Sequence, residues 1–296
     1  NVKLDDAVSL FSQAIQLGSY NMEARNDAYF WRGESYYRMG EYENAISDYR
    51  TYLNNTRQHN TDMYALAYYN LGYSYFKLRD YSAALNRFRQ YVDLESNRQA
   101  ASLADAYNRI GDCLYQNRQF SLAEENYSRA AQLSPSAGDY SIYQKGFLLG
   151  LQKDYKGKIS AMDRLISEYP ESQYVDDALF EKGRSYVLLE NSSSAAQAFE
   201  KLIREFPQSS LARKAGIQLG LLYYNDNQPE KALAAYKQVI SNYPGSEEAK
   251  IALQDLKSVY IDLNDINAYA SYVNSIGGNI RLEVGEQDSL TYIAAE

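Results

Sequence analysis

The sequence predicts an all-α fold, a solenoid of stacked antiparallel helix pairs, and three observations predict it. Glycine returns at Gly33, Gly72, Gly111, Gly146, Gly183 and Gly220, in steps of 39, 39, 35, 37 and 37 residues. A period between about 20 and 50 residues marks a stacked repeat array. Around each glycine, large and small side chains alternate at helical spacing: with Gly33 as position 8, Tyr29 falls at position 4, Tyr36 at 11, Tyr42 at 17, Ala45 at 20 and Tyr49 at 24. Met39-Gly40-Glu41 supplies a turn at the middle of the unit.

Each element of the unit follows from these spacings. Tyr29 and Tyr36 are two turns apart and share one face of a first helix; Ala45 and Tyr49 are one turn apart and share a face of a second. Gly33 and Ala45 lie where the two helices must approach closely. The second copy repeats the pattern with Tyr68, Leu71, Gly72, Tyr75, Ala84 and Phe88, and the third with Tyr107, Ile110, Gly111, Leu114, Ala123, Tyr127 and Pro135. The fourth keeps Gly146, Leu149 and Pro170 but places Lys158 where the close-contact alanine belongs. Leu179, Gly183, Tyr186, Ala195, Phe199 and Pro207 mark the fifth, and Gly220, Tyr223, Ala232, Tyr236 and Pro244 the sixth. One helix pair cannot bury its own apolar face, so each copy depends on its neighbours.

Five segments result. Residues 1–25 read as the second helix of a preceding, truncated repeat; 26–137 hold copies one to three and 138–246 copies four to six. Residues 247–278 form a degenerate seventh helix pair, with Leu253, Leu256 and Tyr260 in register and Lys257 in place of the glycine. Residues 279–296 are a C-terminal extension, in which Ile280 to Val284 alternates as a short strand does and Ser289 begins a helix capped by Asp288 or by itself.

The motif resembles the tetratricopeptide repeat, whose pattern has Trp at position 4, Leu-Gly at 7 and 8, Tyr at 11, Ala at 20, Phe at 24 and Pro near 32. The resemblance implies a right-handed superhelical array of antiparallel helix pairs that serves as a non-catalytic protein-interaction scaffold. It also implies that positions 2, 5, 9, 12 and 13 of each first helix line a concave groove. Here those positions place Phe30, Glu34, Tyr37, Tyr69, Tyr73, Phe76, Asn108, Asp112, Tyr115, Tyr143, Phe180 and Tyr224 on the groove. Aromatic rows of this kind suit a peptide-like segment of a partner, because rigid rings give contact area at low entropic cost. With Glu34 and Asp112 among them, together with Asp27 and Asp105, the groove suits a basic or neutral segment carrying apolar anchors. The family's clamp for an acidic chaperone tail is disfavoured: its five positions read Phe30, Glu34, Asn70, Asp105 and Arg109, only two of which match. A structural or self-associating spacer role within a larger envelope protein, and carbohydrate binding by the aromatic groove, stand as alternatives.

The later copies end in Tyr169-Pro170-Glu171-Ser172, Phe206-Pro207-Gln208-Ser209 and Tyr243-Pro244-Gly245-Ser246, where proline stops one helix and serine can cap the next. This ending is similar to that of bacterial cell-envelope members of the family, such as outer-membrane assembly lipoproteins and the periplasmic coordinator of the Tol-Pal system. A periplasmic or envelope setting is therefore favoured over a cytoplasmic one.

Composition narrows the chemistry. A net charge of −8 without a basic segment argues against a nucleic-acid partner. No apolar run approaches the roughly 18 residues of a membrane span. One cysteine, Cys113, and one histidine, His59, leave no disulfide framework and no cysteine- or histidine-based zinc spacing, and no cofactor is implied. Cys113 is expected to be buried and His59 to lie in a solvated loop. Neither a phosphate-binding glycine loop nor a nucleophile elbow occurs, so the chain does not read as an enzyme. Of the 31 tyrosines, fourteen sit at positions 4, 11, 17 and 24, where helix packing explains them.

Overall fold

A computed structural model describes residues 2–18, 21–59, 61–97, 101–135 and 138–277. The strand and helix expected within 279–296 lie outside the described residues. Those residues form only helices, turns and bends: α1 (Val2–Leu17), α2 (Met22–Met39), α3 (Tyr42–Asn55), α4 (Asp62–Lys77), α5 (Tyr81–Leu94), α6 (Ala101–Gln116), α7 (Phe120–Leu133) and α8 (Asp139–Leu151) come first. They are followed by α9 (Tyr155–Glu168), α10 (Val175–Leu188), α11 (Ser192–Glu205), α12 (Ser210–Asn225), α13 (Pro229–Asn242), α14 (Glu247–Asp262) and α15 (Ile266–Ile276). Two compact units result, Asn1–Leu148 and Leu149–Glu296. From α1 to α7 and from α9 to α15, each helix packs on the next, so the all-α repeat architecture read from the glycine period is the observed one.

The turn inside each pair has one construction throughout. Position 15 adopts the left-handed conformation in every copy: Gly40 (φ 84°), Arg79 (62°), Arg118 (59°), Lys153 (64°), Glu190 (55°), Asn227 (56°) and Asn264 (56°). The next residue's N–H then reaches back to a carbonyl five residues earlier, as from Glu41 to Tyr36 at 2.9 Å and from Asn191 to Tyr186 at 2.9 Å. This closure satisfies carbonyls that the end of a helix would leave unpaired. Asp80, Asp154, Asn191 and Asp265, one position on, accept from the N–H three residues ahead and start the second helix. At the other boundary, Ser209 and Ser246 cap α12 and α14, whereas Ser172 bonds the Tyr174 N–H just ahead of α10.

The core follows from the glycine. A Cβ added at Gly33 would meet the Tyr49 ring at 3.2 Å, at Gly72 the Phe88 ring at 2.9 Å, at Gly111 the Tyr127 ring at 2.6 Å, at Gly183 the Phe199 ring at 2.5 Å, and at Gly220 the Tyr236 ring at 2.4 Å. Each of these rings is almost wholly buried, and each pairs with a position-20 alanine at or near zero exposure. Full burial of such a side chain contributes about 2–3 kcal/mol. The remaining repeat tyrosines divide: Tyr107 and Tyr260 are buried, while Tyr29, Tyr36, Tyr42, Tyr68, Tyr75, Tyr81, Tyr155, Tyr186 and Tyr223 pack half-buried at the margins.

Lys158 shows how the divergent copy is accommodated. It is 8% exposed at the alanine position. Gly150 leaves room for its stem, since a Cβ there would meet Lys158 Cδ at 2.8 Å. Its ammonium donates to Glu181 on α10, which also receives Arg184 at 3.1 Å. A buried charge is thereby matched rather than stranded.

Two outcomes are expected in urea or thermal unfolding. Gly220→Ala forces a fully packed ring to move and lowers stability by about 1–2 kcal/mol, because overpacking outweighs the ~1 kcal/mol gained in helix propensity. Gly33→Ala, with its looser 3.2 Å approach, stays near neutral. Glu190→Gly relieves a left-handed residue that bears a Cβ, and raises stability by about 0.5–1 kcal/mol.

Candidate functional site

In unit Asn1–Leu148, side chains from α2, α4, α6 and α8 meet through a connected polar and aromatic network. Tyr69 and Tyr73, one turn apart on α4, stack edge to face with centroids 5.0 Å apart. Both hydroxyls donate to Asp105 on α6, the first at 2.7 Å. Asp112 on the same helix accepts from Tyr127 and from Tyr140, each at 2.7 Å, and pairs with Arg109 Nη1 at 2.6 Å. The Arg109 guanidinium also lies over the Phe76 ring at 5.8 Å and the Tyr140 ring at 5.0 Å. Glu34 on α2 is engaged three times, by Tyr49 Oη at 3.0 Å, Asn70 Nδ2 at 3.2 Å and Arg38 Nε at 2.8 Å.

Three of the carboxylates expected to await a ligand, Glu34, Asp105 and Asp112, are thus already hydrogen-bonded within the chain. Burial raises the Asp112 pKa, against the opposing pull of Arg109 and the two tyrosines. Burial also disfavours the charge on Arg109, but Asp112 leads the neighbours that outweigh it, and its pKa is raised. Tyr69, Tyr73 and Tyr127 are pushed up by burial first and by their carboxylate partners second. These phenols stay protonated and act as donors.

Two residues expected on the groove are corrected by the structure. Phe30 is 1% exposed and packs edge-on against Trp31, Tyr49 and Tyr52, so its ring belongs to the core. Asn108 is buried, and its Oδ1 accepts from Ser141 Oγ at 2.8 Å, joining α6 to α8. Tyr37, Phe76, Tyr115 and Tyr143 are half-buried. The first three of these rest on aromatic rings of the following helix or its neighbour: Tyr37 on Tyr42 at 5.5 Å, Phe76 on Tyr81 at 5.4 Å, and Tyr115 on Phe120 at 5.8 Å and Phe147 at 6.3 Å. Trp31, beside this set, is 45% exposed. Cys113 is fully buried, and burial pushes its thiol up to about 12. His59 is exposed and stacks on Tyr64 at 4.6 Å.

In unit Leu149–Glu296 the character changes. Phe180 is half-buried, 5.9 Å from Phe199. Tyr224 is exposed, and its hydroxyl donates to Asp262 on α14. Around it the first helices expose aliphatic side chains: Val187 and Leu188 on α10, Leu221 on α12 and Ile261 on α14.

Sequence comparison decides the family. Residues 25–94, 69–138 and 140–172 each match Tetratricopeptide repeat families. The chain is built of tetratricopeptide repeats. Residues 176–258 match the family described as Outer membrane lipoprotein, YfiO. A comparison with curated proteins finds no match. Among solved structures, the C-terminal part of a tetratricopeptide repeat-containing protein from Cytophaga hutchinsonii is 20% identical, with a TM-score of 0.70 over 85% of this chain and 95% of that one. YrrB, described as a TPR protein with an unusual peptide-binding site, is 22% identical, with a TM-score of 0.54 over 69% and 96%. Pseudomonas aeruginosa pilF is 18% identical, with a TM-score of 0.53 over 78% and 97%. Among the described residues, no helix is long and apolar enough to cross a membrane.

In this tetratricopeptide array, Val187, Tyr224 and Ile261 occupy position 12 at 37-residue intervals, with Leu188 at position 13 and Leu221 at position 9. An aromatic-only reading of the groove passes over the aliphatic members. The signal was the same repeat register with aliphatics admitted.

The raised Asp112 pKa has a sign that can be checked. The folded chain holds this proton more tightly than the unfolded chain, whose value is near 3.8. The stability it contributes is present below that pH and is lost as pH rises through the folded value. Unfolding free energies measured from about pH 3.5 to 7 should show the wild type losing ground to Asp112→Asn as pH rises. An advantage that instead grows with pH would mean that the Arg109 pair outweighs burial.

Proposed function

We propose that this tetratricopeptide-repeat chain is a non-catalytic scaffold that holds a peptide-like segment of a partner protein along the inner faces of its first helices. The repeat family is one of protein-interaction scaffolds, and YrrB, of the same fold, is described as having a peptide-binding site. The observation that carries the reading is the exposed apolar row of unit Leu149–Glu296. Leu188 on α10 is 57% and Ile261 on α14 55% exposed, and α12, which packs against both helices, exposes Leu221 and Tyr224. Clustered exposed apolar side chains of this kind favour a partner surface over a solvated one. Half-buried Tyr37, Tyr69, Tyr73, Phe76, Tyr115 and Tyr143 extend the same capacity in unit Asn1–Leu148, where the hydrogen bonds to Asp105 hold two of the rings in place. Rings fixed before binding lose little entropy on binding.

The segment is basic or neutral with apolar anchors, because Asp262, exposed beside Tyr224, and the partly exposed Asp105, beside Tyr69 and Tyr73, would repel an acidic one. The match of residues 176–258 to an outer-membrane lipoprotein family supports a setting in the bacterial cell envelope.

Selection of displayed peptides on the chain tests this. Selected peptides should carry apolar anchors without acidic runs, and the double variant Leu221→Ala/Tyr224→Ala should bind them at least ~10-fold more weakly while keeping the wild-type helical signal. Failure to select any peptide, or unchanged affinity in the variant, would sink the proposal.

A further inference from the structure

On unit Leu149–Glu296, away from the first-helix positions just described, α9, α10 and α11 line an open recess of about 540 Å3. Three cations line it, Arg164 from α9, Lys182 from α10 and Lys201 from α11, against one carboxylate, Asp163. Three cations are thus gathered in one recess of a chain whose total is −8, although each has a carboxylate beside it. We infer that this cavity binds a small organic phosphate.

Each cation holds only a replaceable partner. Lys182 is the most enclosed, its side chain 23% exposed, and donates to Asp163 at 2.5 Å; that carboxylate is itself half exposed. Arg164 pairs with Glu168 at 2.9 Å one turn along its own helix, and Lys201 lies 3.9 Å from Glu205. Exposed pairs of this type are weak and yield to a better anion.

Neighbouring recesses of the same repeat geometry lack the arrangement. Over α6 the equivalent space, about 360 Å3, is lined by a single cation, Arg129, and a single carboxylate, Asp93. Over α12 the Lys182 position is Leu219, and the recess closes to about 10 Å3 around Gly216, Val239 and Tyr243. The charge and the space therefore occur together over α10.

The lining states the ligand class. A phosphomonoester carries about two negative charges near neutral pH and so offers these cations a stronger partner than a single exposed carboxylate does. Lysines bind phosphate as point charges, without the planar match that a carboxylate takes from a guanidinium. The hydroxyl of Ser194 adds a donor suited to a tetrahedral group. Leu179, Ile166 and the Tyr186 ring give an apolar side, and the volume exceeds what a bare phosphate fills, so an organic moiety belongs beside the charge.

Titration calorimetry of the whole chain with glycerol 3-phosphate and with inorganic phosphate, at constant ionic strength set by chloride, tests the assignment. Saturable one-to-one binding is expected, tighter for the ester. Lys182→Gln should weaken it at least ~10-fold, as loss of a charge-assisted hydrogen bond implies. Asp163→Asn should tighten it about 3-fold by removing the internal competitor for Lys182. Lys214→Gln, at an exposed lysine outside the cavity, should leave it unchanged. Absence of saturable binding, or equal affinity in Lys182→Gln with an unchanged helical signal, overturns the site. An ester that binds no tighter than inorganic phosphate overturns its organic part. Either result leaves the peptide-scaffold reading untouched, because Lys182 and Asp163 lie outside the residues on which that reading rests.

Discussion

The contact on which the rest depends is that between the position-8 glycine and the position-24 ring of the same helix pair. In four copies a single absent Cβ lets an aromatic ring approach the partner helix more closely than a Cβ tolerates, and at Gly33 the approach is only slightly looser. That approach sets the spacing of the pair. The alanine at position 20 completes the close contact from the second helix, and the aromatic is left with almost no exposed surface. Packing at this density tolerates little change of volume, which makes the pair a rigid unit for stacking.

The hydroxyl of that ring ties the core to the inner surface. Where position 24 is tyrosine, its phenol must find an acceptor as it is buried. Tyr49 finds Glu34 and Tyr127 finds Asp112, both at position 9 of the first helix. Where position 24 is Phe88, no such acceptor is required, and position 9 is Tyr73, which turns instead to Asp105. The composition of the inner face is thus partly dictated from behind. Carboxylates that look ligand-ready in a string of letters are structural acceptors for core tyrosines, and Arg109 balances their charge.

The two units put this scaffold to different chemical use. Asn1–Leu148 presents hydrogen-bonded tyrosines and charge pairs, whereas Leu149–Glu296 presents aliphatic side chains beside the exposed Tyr224 and carries the gathered cations over α10. A repeat array allows such divergence, because each helix pair needs only its framework positions and leaves the others free to vary.

The sequence by itself determined the helix pairs, their register, the turn at Gly40 and the aromatic core, because these rest on spacings of three, four and seven residues and on a period that any stretch of the chain displays. It also placed Cys113 in the core and His59 on an exposed loop. What it could not give was the state of each side chain on the inner face. Phe30 and Tyr69 share position 5, yet one is sealed between Trp31, Tyr49 and Tyr52 while the other reaches Asp105 on the next first helix. Lys158 looked like a defect until Gly150 and Glu181, eight residues before it and 23 after, were seen to receive it. The cations of the cavity over α10 come from three helices and have no common motif. Local period fixes which residues share a face; only the stacked structure decides which of them meet each other and which are left for something else.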